Sequence, residues 1–531
     1  MIAAILLLAS AALTTACGGD AKDDTPTDGA KNENGIKAGG TAVVGQGAEP
    51  ITLNPDGKPD DNMPQIAQNV FQRLVKTNNN QAVILDLATG YTISEDGTEY
   101  TFTLPDNVTF HDGEPLTSDD VKFTFDEILK QNGWVASSFS GIQEITCPDD
   151  TTVVFKMKEV DVTFVGNLAY NGTYILPRHV YEGKDWLDAD ALMEPVGSGP
   201  FKFSKWDKGV SLTLERYDNF YRGEELPYLD KLVYSFITDG NTAMQAFYNG
   251  EMDMLGSIIP PSSEYSKLLS DPDIECPRIV YPSRFYVGFN LENSICSDIN
   301  FRRAVAHAID SDDIIAKAIK ESGLKATTWV SPVFDWALNT DPEAAVPAHD
   351  LEKAKEYMTQ TGLEADKDGV YAKFTVDTYN YEPFPEFATV LKEELAKIGV
   401  AIDINMMEYG AWEEKVNSGD FTMVIGGGYQ GPDISALRDR ITTGKLLNHF
   451  NYSNADVDRL MAEGEKTPVY EERAPKYQEV QKILAQDLPF VVVSEWLGYM
   501  PYRAYVKGHP ASEEAVEKTA FGEFTYVWLD K

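Results

Sequence analysis

The stretch "AKFTVDTYNYEPFPEFATVLKEELAKIGVAIDINMMEYGAWEEKVNSGDFTMVIGG" (residues 372–427) decides the fold. Its first part, "AKFTVDTYN", alternates apolar and polar residues as a strand does. "FPEFATVLKEELAKIG" sets Phe387, Val390, Leu391, Leu395 and Ile398 on one helical face and stops at Gly399. "VAIDINMM" alternates again, "YGAWEEKVNSG" is a short helix, and "DFTMVIGG" is a third strand. Strand-helix-strand-helix-strand at this spacing predicts parallel strands joined by right-handed crossovers, an α/β fold. Ligands of such open sheets sit beyond the carboxyl ends of the strands. The segment "GGGYQGPDISALR" (426–438) leaves the strand predicted over Phe421–Ile425 at that end. A triple glycine costs backbone entropy wherever it is ordered, so it is expected to let backbone approach a ligand.

Working back along the chain, "GGTAVVGQGAEPITLNP" reads as a strand entering a turn, and a helix follows around Ile66, Val70, Phe71 and Leu74. "TEYTFTLPDNVTFHDGEPLTSDDVKFTFDEILKQNG" carries strand residues Tyr100, Phe102 and Leu104, then a corner at His111-Asp112-Gly113. A helix follows, opened by a capping box at Thr117 and Asp120, with Gly133 as its stop. Strand-rich chain follows through "PVGSGPFKFSKWDKGVSLTLERYDNFYRG", and "FYVGFNLENSICSDINFRRAVAHAIDSDDIIAKAIKESG" reads as a strand and two helices.

Five motifs in order give the chain a likeness. "YTFTLPDNVTFHDGEPLTSDDVKFTFDEIL" (100–129), "PVGSGPFKFSKW" (195–206), "FRRAVAHAID" (301–310), "LKEELAKIGVAIDI" (391–404) and "QKILAQDLPFVVV" (481–493) resemble elements of the peptide/nickel family of solute-binding proteins that serve ABC importers. The resemblance runs from about Gly39 to the C-terminus. It implies a two-lobed periplasmic-binding-protein clamshell with mixed sheets and an inserted subdomain in the N-terminal lobe. The implied organisation is lobe I over 39–90 and 196–285, the inserted subdomain over 91–195, lobe II over 286–499, and a return to lobe I over 500–531. It implies hinge closure on a solute, then docking on membrane permease subunits.

Peptide capture needs a carboxylate for the α-amino group, main-chain hydrogen bonds, and roomy aromatic pockets. In peptide-binding relatives, an Asp in the loop that matches 426–433 meets the ligand's amino end. Here Gln430 or Gly431 stands at that place; Gln430 and Asp433 are candidate ligand-binding residues, and the alternative role of Asp433 is to cap the helix expected over Ile434–Arg440. Tyr429, directly after the strand, is a candidate cleft residue, as is Glu49 in "GAEPITLNP". Tyr286, where the chain crosses between lobes, is a pocket wall or an ordinary core residue, and Trp496 and Tyr499 near the return crossing stand equally. Trp134 is expected to pack. Arg302, Arg303, His307 and Asp310 look like a catalytic cluster, but their helical spacing gives them structural or surface roles.

Several classes are excluded. The 531 residues include 84 acids and 45 bases, a net charge of -39, which argues against nucleic acid or an anionic membrane surface as partner. At 43% hydrophobic and 11% aromatic the chain can bury large cores, enough for about three or four domain-sized units. No His-Glu-x-x-His, Gly-x-Ser-x-Gly or phosphate-loop motif is present; "GQGAEP" lacks the third glycine of a dinucleotide fingerprint, and "HDGE" is explained as a hairpin corner. An enzyme is therefore not expected, nor a metal or other cofactor. The different-class alternatives are a secreted hydrolase and a chaperone-like surface protein. Within the fold the alternative ligand is a nickel chelate or another small solute.

The leader "MIAAILLLASAALTTAC" resembles a bacterial lipoprotein signal with Cys17 as the lipidated residue. The polar, glycine-rich 18–38 reads as a flexible tether. No later run reaches the ~18 apolar residues of a membrane span. The expectation is a monomer held by its lipid on the outer face of the cytoplasmic membrane, or in the periplasm. Cys147, Cys276 and Cys296 lack metal-site spacing; Cys276 and Cys296 form one bridge or remain free thiols.

Overall fold

The computed structural model describes residues 32, 35–58, 60, 62–170, 172–188, 193–445 and 447–531. The 1–17 leader with Cys17, and the 18–38 tether apart from residues 32 and 35–38, lie outside the described residues.

The deciding stretch folds into strand Ala372–Tyr379, helix Phe384–Ala396, strand Val400–Met407, helix Tyr409–Asn417 and strand Met423–Tyr429. The three strands are parallel with the first in the centre: Ala372 through Tyr379 pair with Val400 through Met407, and Val376 and Asp377 pair with Met423 and Val424. Phe387, Leu391 and Leu395 of the first helix are buried on the sheet. Gly399 ends the helical run at φ +75°, where a Cβ would also lie 2.6 Å from the Gly369 carbonyl, so only glycine fits.

The third strand corrects the sequence reading. It does not stop at Ile425 but runs through the three glycines to Tyr429. Only its start is parallel-paired. Gly426, Gly427, Gly428 and Tyr429 pair antiparallel with Tyr286, Phe285, Arg284 and Ser283. A Cβ on Gly426 would lie 2.6 Å from the Tyr286 hydroxyl, and one on Gly427 would lie 3.2 Å from the Phe384 ring. Gly426 and Gly427 make room for aromatic rings laid over the strand and Gly428 for the Arg440 guanidinium (3.4 Å), so the run is strand and not a wandering loop.

Antiparallel strands Arg278–Phe289, Phe490–Tyr499 and Gly323–Lys325 complete a six-stranded mixed sheet. A seven-stranded sheet forms the other lobe, in the order Ile274–Glu275, Tyr502–Arg503, Met254–Leu255, Thr41–Gln46, Lys231–Phe236, Ser211–Arg216, Phe201–Asp207. A four-stranded antiparallel sheet is built from Gly90–Ile93, Glu99–Thr103, Thr152–Met157 and Ile142–Asp149. Its rings (Phe102, Phe155) share one buried core with Val44, Leu214 and Leu232 of the seven-stranded sheet. The chain passes between the large sheets twice. Arg278–Phe289 follows Ile274–Glu275, and Phe490–Tyr499 precedes Tyr502–Arg503, so the two paired crossing strands are the links between lobes.

The Thr117–Asp120 capping box forms as its spacing predicts, and the helix Ser118–Lys130 ends short of Gly133. The corner before it has a structural purpose. The half-buried His111 ring accepts from Gly197 N–H at Nδ1 (3.3 Å) and lies 3.0 Å from the Gly199 carbonyl at Nε2. A Cβ on Gly197 would sit 2.0 Å from the Val70 carbonyl oxygen, and one on Gly199 would sit 2.7 Å from that of Asn69. Two of the motifs therefore hold each other, through a ring that suits only its neutral form. Burial, against the Gly199 hydrogen bond, pushes His111 down from 6.5 to about 4. The unfolded chain takes up this proton near pH 6.5 and the folded chain near 4, so stability falls as pH drops through that window. At ~1.4 kcal/mol per pH unit the loss is about 3 kcal/mol. Urea unfolding from pH 7 to 4 should show this slope in the native sequence and a shallower one in His111→Gln; equal slopes would refute it.

Among the described residues Cys147, Cys276 and Cys296 are free thiols, so no bridge joins Cys276 to Cys296. Cys296 lies in the core of the six-stranded lobe, and Cys276 borders a separate cluster around Phe247 and Leu268. No helix among the described residues is long and apolar enough to cross a membrane.

Candidate functional site

The carboxyl ends of the three parallel strands bring Tyr379, Tyr409 and Tyr429 to one side of the six-stranded sheet. Facing them from the other lobe are Ile259, Pro260, Pro261 and Tyr265. Between lies a cavity of about 680 Å³, within the range of ligand pockets. Its walls are aromatic: Phe285, Tyr379, Tyr381, Phe384, Tyr409, Tyr429 and Trp496. Tyr379 stacks on Tyr381 (5.2 Å, 7°) and meets Phe384 edge-on (4.5 Å, 88°). Burial pushes up the phenols of Tyr379, Tyr409 and Tyr429, so they act as neutral rings with a hydrogen-bonding tip.

Tyr429 also borders a second chamber of about 350 Å³, with Pro64, Arg73, Tyr170, Phe334 and Phe521. The Tyr170 and Tyr429 rings stack across the lobes at 6.4 Å. Tyr429 therefore stands as a partition between two compartments of one interlobe cleft.

Three charged side chains line the larger cavity without an ion pair among the described residues: Lys320, Glu382 and Glu386. Lys320 follows a π-helical turn, Ile315–Ile319, at φ +57° and ψ -141°. That conformation costs a non-glycine residue on the order of 1–3 kcal/mol, and here it projects a lysine beside the cavity. Beneath the floor, Arg284 and Glu495 form a buried pair on the two crossing strands. Arg284 Nε donates to both Glu495 oxygens at 2.9 Å and Nη2 donates to the Thr328 carbonyl at 2.7 Å. Burial pushes the Glu495 carboxyl up, and Arg284 draws it back.

The structure separates the residues singled out from sequence. Tyr429 and Trp496 line the cavity. Tyr499 stands at its edge, stacked on Tyr265 at 4.3 Å with its hydroxyl donating to the Glu321 carbonyl. Tyr286 points the other way, edge-on to Phe450 (5.7 Å) and Phe490 (6.1 Å) inside the lobe. Gln430 braces the strand end, donating its N–H to Pro282 O (2.6 Å) and accepting Ser331 N–H (2.9 Å). Asp433 caps the turn Ile434–Leu437 through Ser435 N–H and pairs with buried Arg473. Glu49 accepts from Trp206 Nε1 (3.2 Å) and Gly209 N–H (2.9 Å) within its own lobe, outside the cavity lining. Trp134 packs against Tyr170.

The supposed catalytic cluster is structural. Arg302 donates to the carbonyls of Cys296, Ser297 and Asp487, Asp310 caps the next helix, and His307 Nδ1 lies 2.8 Å from the Ala348 carbonyl. Among the described residues no group of His, Cys, Asp and Glu is placed to hold a metal ion.

Lys320, Tyr379, Tyr381, Glu382, Glu386 and Tyr409 escaped the sequence reading. The rule that selected Tyr429, position past a parallel strand's carboxyl end, selects Tyr379–Glu382 and Tyr409 when applied to the other two strands.

Comparison with known proteins matches this geometry. Residues 82–443 match the family described as bacterial extracellular solute-binding proteins, family 5 middle. The oligopeptide-binding protein AppA of Bacillus subtilis (strain 168) is 28% identical over 503 residues, 91% of each chain. The ABC transporter substrate binding protein CtaP of Listeria monocytogenes superposes with a TM-score of 0.80 at 26% identity, over 93% of this chain and 100% of that one. AppA of Bacillus subtilis in complex with a nonapeptide gives 0.67 at 27% identity, over 93% and 100%. The chain folds as a two-lobed binding protein of ABC transport and belongs to the bacterial extracellular solute-binding proteins of family 5.

Proposed function

We propose that this protein captures peptides in the interlobe cleft and delivers them to an ABC importer, tethered outside the membrane by lipid on Cys17. The observation that carries the reading is the aromatic-walled cavity of about 680 Å³ at the strand ends, bordered by Lys320 on one element and Glu382 and Glu386 on another. A peptide is a zwitterion with varied side chains. Roomy aromatic walls accept the side chains, Lys320 suits a carboxylate, and the strand edges offer main-chain partners. Function is then differential affinity of open and closed states, with no bond broken. The relative crystallised with a nonapeptide lends the peptide reading weight. Among the described residues no imidazole or thiol lines the cavity, which favours a peptide over a nickel chelate.

Native mass spectrometry of the protein purified from membranes tests both parts. Expected are a lipid-sized mass on the mature chain and co-purifying peptides that dissociate intact. A non-peptide solute, or cleaved peptides after incubation, would overturn the transport-of-peptides reading.

A further inference from the structure

The acid expected to meet a peptide's amino end is absent from the 426–433 segment, and the residues nearest to that role are occupied. Asp433 is 6% exposed and held by Arg473, Gln430 is neutral and braces Ser331, and Glu49 is bound to Trp206 and Gly209. The cavity's own carboxylates are Glu382 and Glu386. They flank the start of helix Phe384–Ala396, on the turn that leaves the central parallel strand. Both are exposed, and neither has a hydrogen-bond or ion-pair partner among the described residues.

Their surroundings suit a cation. Tyr381 is 48% exposed and Tyr409 51%, so both rings offer open faces to the cavity they line. The two strand-end turns carrying these rings are tied together, Asn380 Nδ2 donating to Glu408 Oε1 at 2.7 Å. Carboxylates beside open aromatic faces attract ammonium and guanidinium groups by charge and by ring quadrupole. Lys320, which lines the same cavity without an ion pair among the described residues, suits the carboxylate of a bound chain and leaves Glu382 and Glu386 for its positive group.

We propose that Glu382 and Glu386, with Tyr381 and Tyr409, form a cation-accepting subsite that takes over capture of the ligand's positive group: the α-ammonium of a peptide or a lysine or arginine side chain. The proposal rests on the peptide reading above.

The test uses synthetic pentapeptides Ala-Phe-Xaa-Phe-Ala, with arginine, lysine, glutamine or glutamate at Xaa, each with a free or acetylated amino terminus. Affinities are measured by calorimetry for the full mature protein and for E382Q/E386Q. The expected result is that the acetylated glutamine peptide binds at least tenfold more weakly than its free-amine or arginine counterpart. The double variant should lose that tenfold difference while holding the acetylated glutamine peptide within threefold of the unaltered protein. A preference lost only on acetylation assigns the α-ammonium; one that follows Xaa assigns a side chain. Equal binding of all members by the unaltered protein would overturn the subsite and leave peptide capture standing. So would a preference that survives in E382Q/E386Q. No binding by any member would overturn both. The arms on the unaltered protein need no variant to fold.

Discussion

Asp433→Ala is expected to remove about 3–5 kcal/mol of stability, because it leaves a buried guanidinium without its counter-charge. Arg473 is fully buried on helix Tyr470–Asp487. It donates to both Asp433 oxygens, from Nη1 at 3.1 Å and from Nη2, and to the Gly464 carbonyl from Nε at 3.0 Å. The rings of Trp336 and Tyr477 lie 5.0 and 5.4 Å from its guanidinium carbon. Removing the carboxylate also deletes the cap on Ser435 N–H, worth about 1 kcal/mol. Asp433→Asn keeps the cap and the shape while deleting the charge, so its loss should be smaller. Urea unfolding of the three proteins checks the order. A loss below about 1 kcal/mol for the alanine variant would show that water reaches Arg473. The consequence for function is indirect: Pro432, beside Asp433, lies 3.6 Å from where a Gly166 Cβ would stand, across the interlobe contact. A peptide-affinity loss in Asp433→Ala should therefore be accompanied by lost stability, unlike one in E382Q/E386Q.

The same residues show how far sequence carries. The βαβαβ unit was legible because its periodicity switches cleanly between 2 and 3.6, and capping chemistry is local, so Thr117–Asp120 and the cap at Asp433 could be read. Arg473 as the partner of Asp433 could not, since forty residues and a helix separate them. Tyr286 stayed undecided between pocket wall and core for a different reason. Its strand is apolar on both faces, so alternation gives no inside or outside, and parity puts Phe285 rather than Tyr286 on the cavity side. The end of the third strand was not legible because a run of three glycines reads as a break in a strand, whereas here the Tyr286 and Phe384 rings and the Arg440 guanidinium take up the space their side chains would have filled. The cavity's charges lie in turns whose lining role depends on which strand ends converge, and that is a property of the sheet order, not of the local sequence.

Glu495→Ala is expected to cost a further case of about 3–5 kcal/mol, and its rescue is more telling than its loss. Arg284 and Glu495 are 3% and 2% exposed at their side chains and face each other in register on Arg278–Phe289 and Phe490–Tyr499. These are the strands whose ends lead into the other lobe. Deleting the acid strands Arg284 with the Thr328 carbonyl as its remaining acceptor, which is the uncompensated buried charge that makes such losses large. Taking the two charges from water into the sheet cost much of what their attraction returns, so Arg284→Met with Glu495→Leu should regain stability to within about 1 kcal/mol of the native sequence, or exceed it. The double variant leaves the cavity-side residues of the two strands, Phe285 and Trp496, in place, so peptide affinity is expected to recover together with stability, which assigns the pair to the crossing strands. Peptide affinity that stays more than tenfold reduced after stability recovers would overturn that assignment.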